Sequence, residues 1–240
     1  MKLRLDHALT AQGITSTRSQ AESWIKLGKV TVNGKIIKKP GHFVDDAAEL
    51  VLTATEQYVS RAGLKLASVA TKFHIDFADK VVLDVGSSTG GFTDYVLQHG
   101  AARVYAIDVG TEQLHPSLRG HERIELHEKT DIRDFKPGAT PDVVVIDVSF
   151  ISLRDVLPHV AKLSGPNTII LAMVKPQFEA ARNQIGSSGV IKNDSVRRSI
   201  LKDFEQWSKA LFMTVDKADS EVKGSRGNQE RFYKLRIVKH

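Results

Sequence analysis

The chain has 240 residues, 41% of them hydrophobic, which is enough for one large and one small domain with apolar cores. It contains no cysteine, so disulfides and thiolate metal sites are excluded. The net charge of +6 modestly favours a polyanionic partner such as a nucleic acid, and the absence of a membrane-length apolar run predicts a cytoplasmic protein without a secretory signal.

Residues 1–52 predict a small α+β domain, which a polar linker at 53–57 follows. Apolar residues at helical spacing predict a first helix whose buried face includes Leu3 and Leu5, and a second helix that ends at Gly28. The segment VTVNG predicts a strand with an Asn-Gly turn, and IIKKPGHFV predicts the returning strand of a hairpin. Basic residues cluster around this hairpin, and their charge alone fits a solvated surface as well as an RNA-binding one.

This first domain resembles the RNA-binding module first described in small-subunit ribosomal protein four. The resemblance rests on that family's pattern of R-L-D, S-R-x-x-A, I-x-x-G-x-V-x-V-N-G and K-P, and it covers nearly all of the segment. It implies that basic side chains of the helix pair and the hairpin bind the phosphates of a structured RNA. The residues so implied are Arg4, Arg18, Lys26, Lys29, Lys35 and Lys38.

Residues 58–240 predict an α/β domain, because apolar strands alternate with helical stretches. Such alternation is typical of a doubly wound, mostly parallel sheet. The last two strands are separated by a loop with Gly224 and Gly227 and no helix, so we expect them to form an antiparallel hairpin at one edge. The strands are predicted near residues 81–85, 103–108, 124–128, 143–147, 168–174, 211–217 and 231–237.

The stretch VVLDVGSSTGGFTDYVL, residues 81–97, joins an apolar strand to a helix through a glycine-rich turn. Glycines let the backbone turn tightly and approach a ligand closely. The spacing G-x-x-x-G-G differs from the dinucleotide fingerprint, and Asp108 ends the next strand, where an acidic residue suits ribose hydroxyls. Together they favour an adenosyl ligand without a pyrophosphate.

Other polar residues also follow the predicted parallel strands, at the edge where open α/β sheets bind ligands. Asp84, Asp131 and Asp147 belong to this series. One aspartate after a strand is more often a helix cap or turn former, but a series of them favours a binding site. Lys175 follows the fifth strand, where Asp147 gives it a carboxylate partner.

The second domain resembles the FtsJ-like ribose 2′-O-methyltransferases, and the two-domain order matches their TlyA/hemolysin-A branch. The motifs that carry the resemblance are YVSRAGLKL, LDVGSSTGGFTD, VVIDVSFISL, MVKPQFE and KGSRGNQERF. The resemblance implies a Rossmann-like class I methyltransferase fold, with a seven-stranded, mostly parallel sheet and an antiparallel last strand. It further implies S-adenosyl-L-methionine as cofactor and ribosomal RNA or a ribosomal subunit as partner. The chemistry requires no metal, and the aspartates are too dispersed in the sequence to suggest a metal site.

The resemblance also implies two sets of site residues. The catalytic set is Lys65, Asp147, Lys175 and Glu230, of which Lys65 and Glu230 are unremarkable from the residues alone. Asp108 would bind the cofactor's ribose, while Asp131 and Ile132 would flank its adenine. The full cofactor set is Asp84, Gly86, Ser87, Ser88, Thr89, Gly90, Gly91, Phe92, Asp108, Asp131 and Ile132.

Two alternatives to an rRNA methyltransferase remain at this point. One is a ribosome-associated RNA-binding protein with a vestigial methyltransferase fold, and the other, less favoured, is a membrane-lysing hemolysin. In the leading interpretation, Lys175 acts on the ribose hydroxyl either as a base or as a group that orients the oxygen. The sequence identifies neither the target nucleotide nor the ribosomal subunit.

Overall fold

The computed structural model describes residues 2–15, 17–54, 58–181, 184–185, 189–224 and 226–238. Its N-terminal module has two helices and five short strands. Residues 55–57 of the expected linker lie outside the described residues, so the domain boundaries stay a prediction. The elements of the module are β1 (Lys2–Arg4), α1 (Leu5–Ala11), α2 (Arg18–Lys26), β2 (Val30–Val32), β3 (Lys35–Ile36), β4 (Phe43–Asp45) and β5 (Leu50–Leu52).

The predicted hairpin is present, since β2 pairs with β3 across a turn at Asn33 and Gly34, both with positive φ. The placement of Leu3 in a helix was wrong. Leu3 lies in β1 and pairs with Val44 of β4. Its spacing of two from Leu5 is the period of a strand, whereas two residues so spaced in a helix point to nearly opposite faces. The other side of β2 pairs with β5, for which no strand was predicted.

The larger domain forms a layered α/β structure, as predicted. Its strands are buried along most of their length, as continuous apolar runs in a parallel sheet require. The helices are α3 (Arg61–Ala70), α4 (Gly91–Gln98), α5 (Leu153–Leu163), α6 (Pro176–Glu179) and α7 (Asp194–Ser208). The strands are β6 (Val81–Val85), β7 (Arg103–Ile107), β8 (Ile124–His127), β9 (Val143–Ile146), β10 (Ile169–Val174), β11 (Phe212–Asp219) and β12 (Arg231–Ile237).

Seven strands of the described chain form one sheet in the order β11-β12-β10-β9-β6-β7-β8. The β6 to β10 strands run parallel, and β12 is antiparallel to both β10 and β11. The predicted sheet with its antiparallel last strand is therefore confirmed. The chain order reverses between β6 and β9, which creates the crevice at the carboxyl ends of strands where such sheets bind ligands.

The two parts of the chain share an apolar core. Buried residues of α1, α2 and β2 belong to the same cluster as those of α3 and α4. The buried Gln20 side chain of α2 also donates a hydrogen bond to the carbonyl oxygen of Tyr58 at 2.5 Å. Among the described residues, none of the helices combines the length and the apolar character needed to cross a bilayer.

Candidate active site

The glycine turn after β6 brings the backbone next to the end of β9. Gly86 has a φ of +83°, and a Cβ placed on it would lie 3.0 Å from the carbonyl oxygen of Asp147. A side chain at position 86 would therefore be strained and would press on the backbone of Asp147. Glycine at position 86 therefore allows the turn to pack closely on the backbone that follows β9.

Asp84 is fully buried in β6 beside this turn. Its Oδ2 accepts a hydrogen bond from the Thr93 hydroxyl at 2.6 Å, whereas its Oδ1 is buried with no hydrogen-bond partner in the described chain. Burial raises the pKa of Asp84 to about 7, although the Thr93 hydrogen bond lowers it and the Asp147 charge adds to the rise. An unpartnered buried carboxylate oxygen is costly, so this atom points to a ligand with a hydrogen-bond donor.

A cavity of about 430 Å³, here called the glycine-turn cavity, lies at the carboxyl ends of β6 and β7. Asp108 lines it and accepts backbone hydrogen bonds from Ser88 at 2.8 Å and Gly110 at 2.7 Å. Asp131 also lines it, and the hydrogen bonds from Arg133 hold the pKa of Asp131 below its usual value. Carboxylate oxygens have further lone pairs, so both groups keep acceptor capacity for a ligand. The predicted cofactor residues on its wall are Gly86, Ser88, Asp108, Asp131 and Ile132.

The other predicted cofactor residues occupy different places. A smaller space of about 130 Å³ adjoins the glycine turn and is lined by Ser87, Thr89 and Phe92 as well as by Asp147 and Lys175. Phe92 is buried, with its ring 6.0 Å from that of Phe232. Gly90 and Gly91 do not line the glycine-turn cavity, and they form the turn and the first residue of α4 instead.

The four predicted catalytic residues meet around a cavity of about 610 Å³, here called the lysine cavity. They come from four places in the sequence: Lys65 from α3, Asp147 after β9, Lys175 after β10, and Glu230 before β12. Lys65 Nζ lies 2.6 Å from Glu230 Oε2, and Lys175 Nζ lies 2.6 Å from Asp147 Oδ1. Both lysine side chains are less than 10% exposed. A buried ion pair adds little stability, because removing its two charges from water costs about as much as their attraction provides. Two such pairs on one cavity therefore indicate a functional role.

Sequence reasoning missed Ser149, a third polar group at the lysine cavity. The Lys175 ammonium donates to the Ser149 hydroxyl at 2.6 Å in addition to its pairing with Asp147. The signal was available in the string DVSF, because Ser149 lies only two residues beyond Asp147 in the turn after β9. Ser149 thus engages one of the three N–H groups of Lys175 and Asp147 balances its charge, which leaves donor capacity for a substrate oxygen.

Phe150 stands out beside these groups, since its side chain is 89% exposed and its φ is +66°. It lines both the lysine cavity and the glycine-turn cavity, and its ring lies 5.3 Å from that of Phe178. Asp147 and Ser149 also line both cavities. The segment after β9 is therefore the junction between the two spaces.

The basic residues predicted to bind RNA divide into two groups. Lys26, Lys29, Lys35 and Lys38 are exposed, and Lys26 pairs with Glu22 at 3.3 Å. Arg4 and Arg18 are half-exposed and bind the buried carboxylate of Asp6, at 2.9 and 2.8 Å. Each guanidinium keeps N–H groups that Asp6 does not use, so Asp6 holds the two arginines side by side.

We expect this Asp6 cluster to make the N-terminal module sensitive to acid. Burial acts to raise the pKa of Asp6, but hydrogen bonds from Arg4 and Arg18 outweigh it and lower the pKa from 3.8 to about 2. A lowered carboxyl pKa stabilises the fold above pH 4, and that contribution is lost as the pH falls from about 4 to 2. In a Trp207→Phe variant, fluorescence of the buried Trp24 should report this loss. Adding Asp6→Asn should remove the step in this pH range, and an unchanged acid transition would contradict the assignment.

Comparison with known proteins identifies the family. The sequence model of the FtsJ-like methyltransferases matches residues 58–236. The chain belongs to the FtsJ-like methyltransferase family. The S4 domain model matches residues 3–50, which confirms the resemblance of the N-terminal module.

Relatives of this FtsJ-like methyltransferase share both domains. The 16S/23S rRNA (cytidine-2′-O)-methyltransferase TlyA of Mycobacterium tuberculosis is 39% identical over 98% of this chain and 90% of its own length. Hemolysin A of Brachyspira hyodysenteriae is 37% identical over 95% of this chain and 97% of its own length. The solved structure of "Putative hemolysin from Streptococcus thermophilus" superposes with a TM-score of 0.73 at 39% identity, covering 99% of this chain and 89% of that one. The predicted TlyA/hemolysin-A membership is therefore confirmed.

Proposed function

We propose that this protein transfers a methyl group from S-adenosyl-L-methionine to the 2′-hydroxyl of a ribose in ribosomal RNA. The observation that carries the proposal is the pair of buried lysine–carboxylate contacts on a cavity that adjoins the glycine turn. Lys65, Asp147, Lys175 and Glu230 are the proposed catalytic residues. A ribosomal substrate also agrees with the cytoplasmic location that the sequence predicts.

The glycine-turn cavity fits S-adenosyl-L-methionine in size and in chemistry. A volume of about 430 Å³ lies in the usual range for small-molecule pockets. Asp108 would bind the ribose hydroxyls, Asp131 and Ile132 would flank the adenine, and the unpartnered Oδ1 of Asp84 suits the amino group of the methionine part. The methionine part would lie along the turn formed by residues 86–91. The bound cofactor supplies an electrophilic methyl group on a sulfonium ion.

The residues of the lysine cavity would act on the ribose hydroxyl. In the ion-paired form, Lys175 is an ammonium without a lone pair, which contacts the Asp147 carboxylate and donates to the Ser149 hydroxyl. Its remaining N–H would hold the 2′ oxygen in line with the methyl group and stabilise the negative charge that develops on it. Asp147 and Glu230 would fix the positions of the two lysines, and Lys65 would supply a second positive charge.

The N-terminal module would supply the affinity for RNA. S4-like modules bind phosphates and recognise RNA by shape, which suits Lys29, Lys35 and Lys38 on the exposed hairpin. Similarity to TlyA enzymes, whose names specify cytidine 2′-O-methylation, extends the proposal to a cytidine as the target. No group of three or more acidic, histidine or cysteine residues in the described chain is placed to hold a metal ion.

The decisive experiment is to map 2′-O-methylation across the ribosomal RNA of cells with and without this protein. We expect at least one ribose to be methylated only when the protein is present, and purified protein to restore it on unmodified subunits. Calorimetric titration with S-adenosyl-L-methionine, with and without RNA, tests the cofactor. A vestigial methyltransferase would bind the subunits but leave the methylation map unchanged.

Phe150→Leu should weaken productive RNA binding, because an exposed ring at the junction of the two cavities is placed to stack on the target base. Base–aromatic stacking contributes about 1–3 kcal/mol, so we expect kcat/KM for RNA to fall roughly tenfold to a hundredfold. Phe150→Tyr keeps the ring and should stay near wild type, and S-adenosyl-L-methionine affinity should not change in either variant. Equal RNA kinetics for the Leu and Tyr variants would exclude stacking.

A further inference from the structure

A third cavity lies between the two domains and has no role in the function proposed above. This interdomain cavity has a volume of about 470 Å³. One wall is α2 of the N-terminal module, and the other is formed by the start of α3 and the loop before β12. The residues that line it are Glu22, Ser23, Lys26, Leu27, Arg61, Glu221, Val222, Lys223, Gly224, Arg226 and Gly227.

The interdomain cavity is cationic. Four basic residues line it, Lys26, Arg61, Lys223 and Arg226, against two acidic ones. Lys26 pairs with Glu22 at 3.3 Å, but Arg61, Lys223 and Arg226 have no carboxylate partner in the described part of the chain. Arg61 is also half-buried. A half-buried guanidinium without a counter-charge is unfavourable, so its position favours an anionic ligand.

The interdomain cavity adjoins the lysine cavity. Arg61, Gly224 and Arg226 line both of them. Arg61 and Lys65 are four residues apart on α3, so they share one face of the helix and lie about 6 Å apart along its axis. Arg61 therefore stands one helical turn outside the catalytic Lys65, on the way to the N-terminal module.

The loop between the two cavities is fixed against a catalytic residue. A Cβ placed on Gly224 would lie 2.7 Å from Oε1 of Glu230. The Gly224 N–H donates to the carbonyl oxygen of Asn228 at 2.9 Å, which closes the loop. Lys223 and Arg226 are thus carried by a segment that packs directly on the Lys65–Glu230 pair.

We propose that the interdomain cavity binds the sugar-phosphate backbone of the single RNA strand next to the target nucleotide. Arg61 and Arg226 bind the first phosphate outside the lysine cavity, and Lys26 and Lys223 bind the phosphates that follow. The inference rests on the proposed function and adds a path for the strand between the two domains. In this path a single strand occupies the cavity, so the substrate is unpaired beside the target ribose.

The test compares RNA binding by Arg61→Gln, Arg226→Gln and the double variant with that of the wild type. The probe is unmodified ribosomal RNA from cells that lack the protein, titrated at several salt concentrations. We expect roughly a tenfold loss of affinity for each arginine, and a slope of log K against log salt that falls by about 0.7 for each lost phosphate contact. Arg61→Lys should recover part of the affinity. Arg236→Gln is the matched control, because Arg236 lies near the end of β12, whereas the cavity is lined by the loop before this strand.

Because the chain has no cysteine, a second test can compare two chemical labels on one and the same variant, so a difference in folding between variants does not enter. Lys223→Cys can be labelled at that position alone, either with aminoethyl methanethiosulfonate, which restores a positive charge, or with sulfonatoethyl methanethiosulfonate, which adds a negative one. We expect the first label to return RNA affinity to within about twofold of wild type, and the second to weaken it roughly tenfold or more. Titration with S-adenosyl-L-methionine should give the same affinity for both labelled proteins.

The outcomes separate this inference from the proposed function. Wild-type affinity and salt slope in the arginine double variant, together with equal RNA binding by the two labelled proteins, would overturn the strand path. If the wild type transfers no methyl group to ribosomal RNA while the variants still lose affinity and slope, the proposed function fails and the RNA-binding cavity stands.

Discussion

Lys175→Met should lower kcat for RNA methylation by at least about a thousandfold. Lys175 is the residue in contact with both Asp147 and Ser149 at the junction of the two cavities, and methionine keeps much of its volume without its charge. Removal of one preorganised donor to a developing oxyanion typically slows catalysis by 10² to 10³, and loss of in-line positioning adds to this. Single-turnover methylation of unmodified subunits measures the chemical step directly. The affinities for S-adenosyl-L-methionine and RNA should stay within about threefold of wild type.

The Lys175→Met variant also leaves Asp147 without its ion-pair partner. A buried carboxylate that loses its partner destabilises a protein by about 3–5 kcal/mol, so a loss of activity in the single variant has two explanations. The double variant Lys175→Met/Asp147→Asn removes both charges and should recover most of the stability while staying inactive. An active double variant, or turnover within tenfold of wild type in the single variant, would remove Lys175 from the proposed role.

The pH dependence of the wild-type rate separates the two roles that the sequence left open for Lys175. If Lys175 acts as an ammonium that orients the oxygen, the single-turnover rate should not require its deprotonation. If it acts as the base, the rate should rise tenfold per pH unit until the lysine is deprotonated. The contacts with Asp147 and Ser149 favour the first behaviour, since the carboxylate pairs with the ammonium charge and the hydroxyl accepts a hydrogen bond from it.

Much of the fold follows from local patterns in the sequence. The strands β6, β7, β9 and β10 are mostly apolar runs of four to six residues, and their parallel direction follows from alternation with helices. Leu3 shows the limit of this reasoning, because a single pair of leucines two residues apart is too short a pattern to show that a strand precedes the helix. The strand β5 was missed because its two leucines, Leu50 and Leu52, are too few to show a strand pattern and are followed directly by the polar linker.

The candidate site was less accessible than the fold. Lys65 lies between Leu64 and Leu66 on α3, and all three are buried, so periodicity gives no reason to turn this lysine inward. Glu230 meets Lys65 only because β12 inserts between β10 and β11. Both residues came from the family resemblance and not from spacing. Partners such as Ser149 depend on tertiary contacts that no local pattern records.

The RNA-binding residues illustrate a different limit. Sequence reasoning treated Arg4 and Arg18 as separate surface charges, whereas both bind Asp6, the residue directly after Leu5. Arg61 and Arg226 were not singled out, because the N-terminal resemblance directed attention to residues 1–52. Their interest arises because α2 meets residues that are at least 34 positions further along the chain, a contact that only the folded molecule reveals.

Asp84→Asn should stabilise the protein at pH 8 and weaken its affinity for S-adenosyl-L-methionine. Burial raises the pKa of Asp84 from 3.8 to about 7 in the fold. A carboxyl whose pKa is raised on folding binds its proton more tightly in the folded state, so stability falls as the pH rises from about 4 to 7 and is then constant. The charge therefore destabilises the fold by at most about 4 kcal/mol at pH 8. Asp84→Asn removes this cost, but the unpaired amide of asparagine offsets about 2 kcal/mol of the stability so gained.

Denaturant unfolding at pH 5 and at pH 8 measures this effect. We expect Asp84→Asn to be more stable than wild type by about 2 kcal/mol at pH 8, and to lose that advantage at pH 5, where the wild-type carboxyl is protonated. Thr93→Val is the matched control, because it removes the hydrogen bond to Oδ2 and keeps the carboxyl group. Since that hydrogen bond holds the pKa of Asp84 down, Thr93→Val should raise it and lower stability at pH 8.

The same carboxylate should make cofactor affinity depend on pH. If Oδ1 of Asp84 meets the amino group of S-adenosyl-L-methionine, binding requires the deprotonated form, and the wild-type affinity should rise roughly tenfold between pH 6 and pH 8. The Asp84→Asn variant should bind roughly tenfold more weakly than wild type at pH 8 and show no such rise. Binding of the cofactor's amino group would then explain why the protein keeps a buried acid that lowers its stability at pH 8. Equal affinities of the two proteins at pH 8 would place Asp84 outside the cofactor site and leave its burial without that explanation.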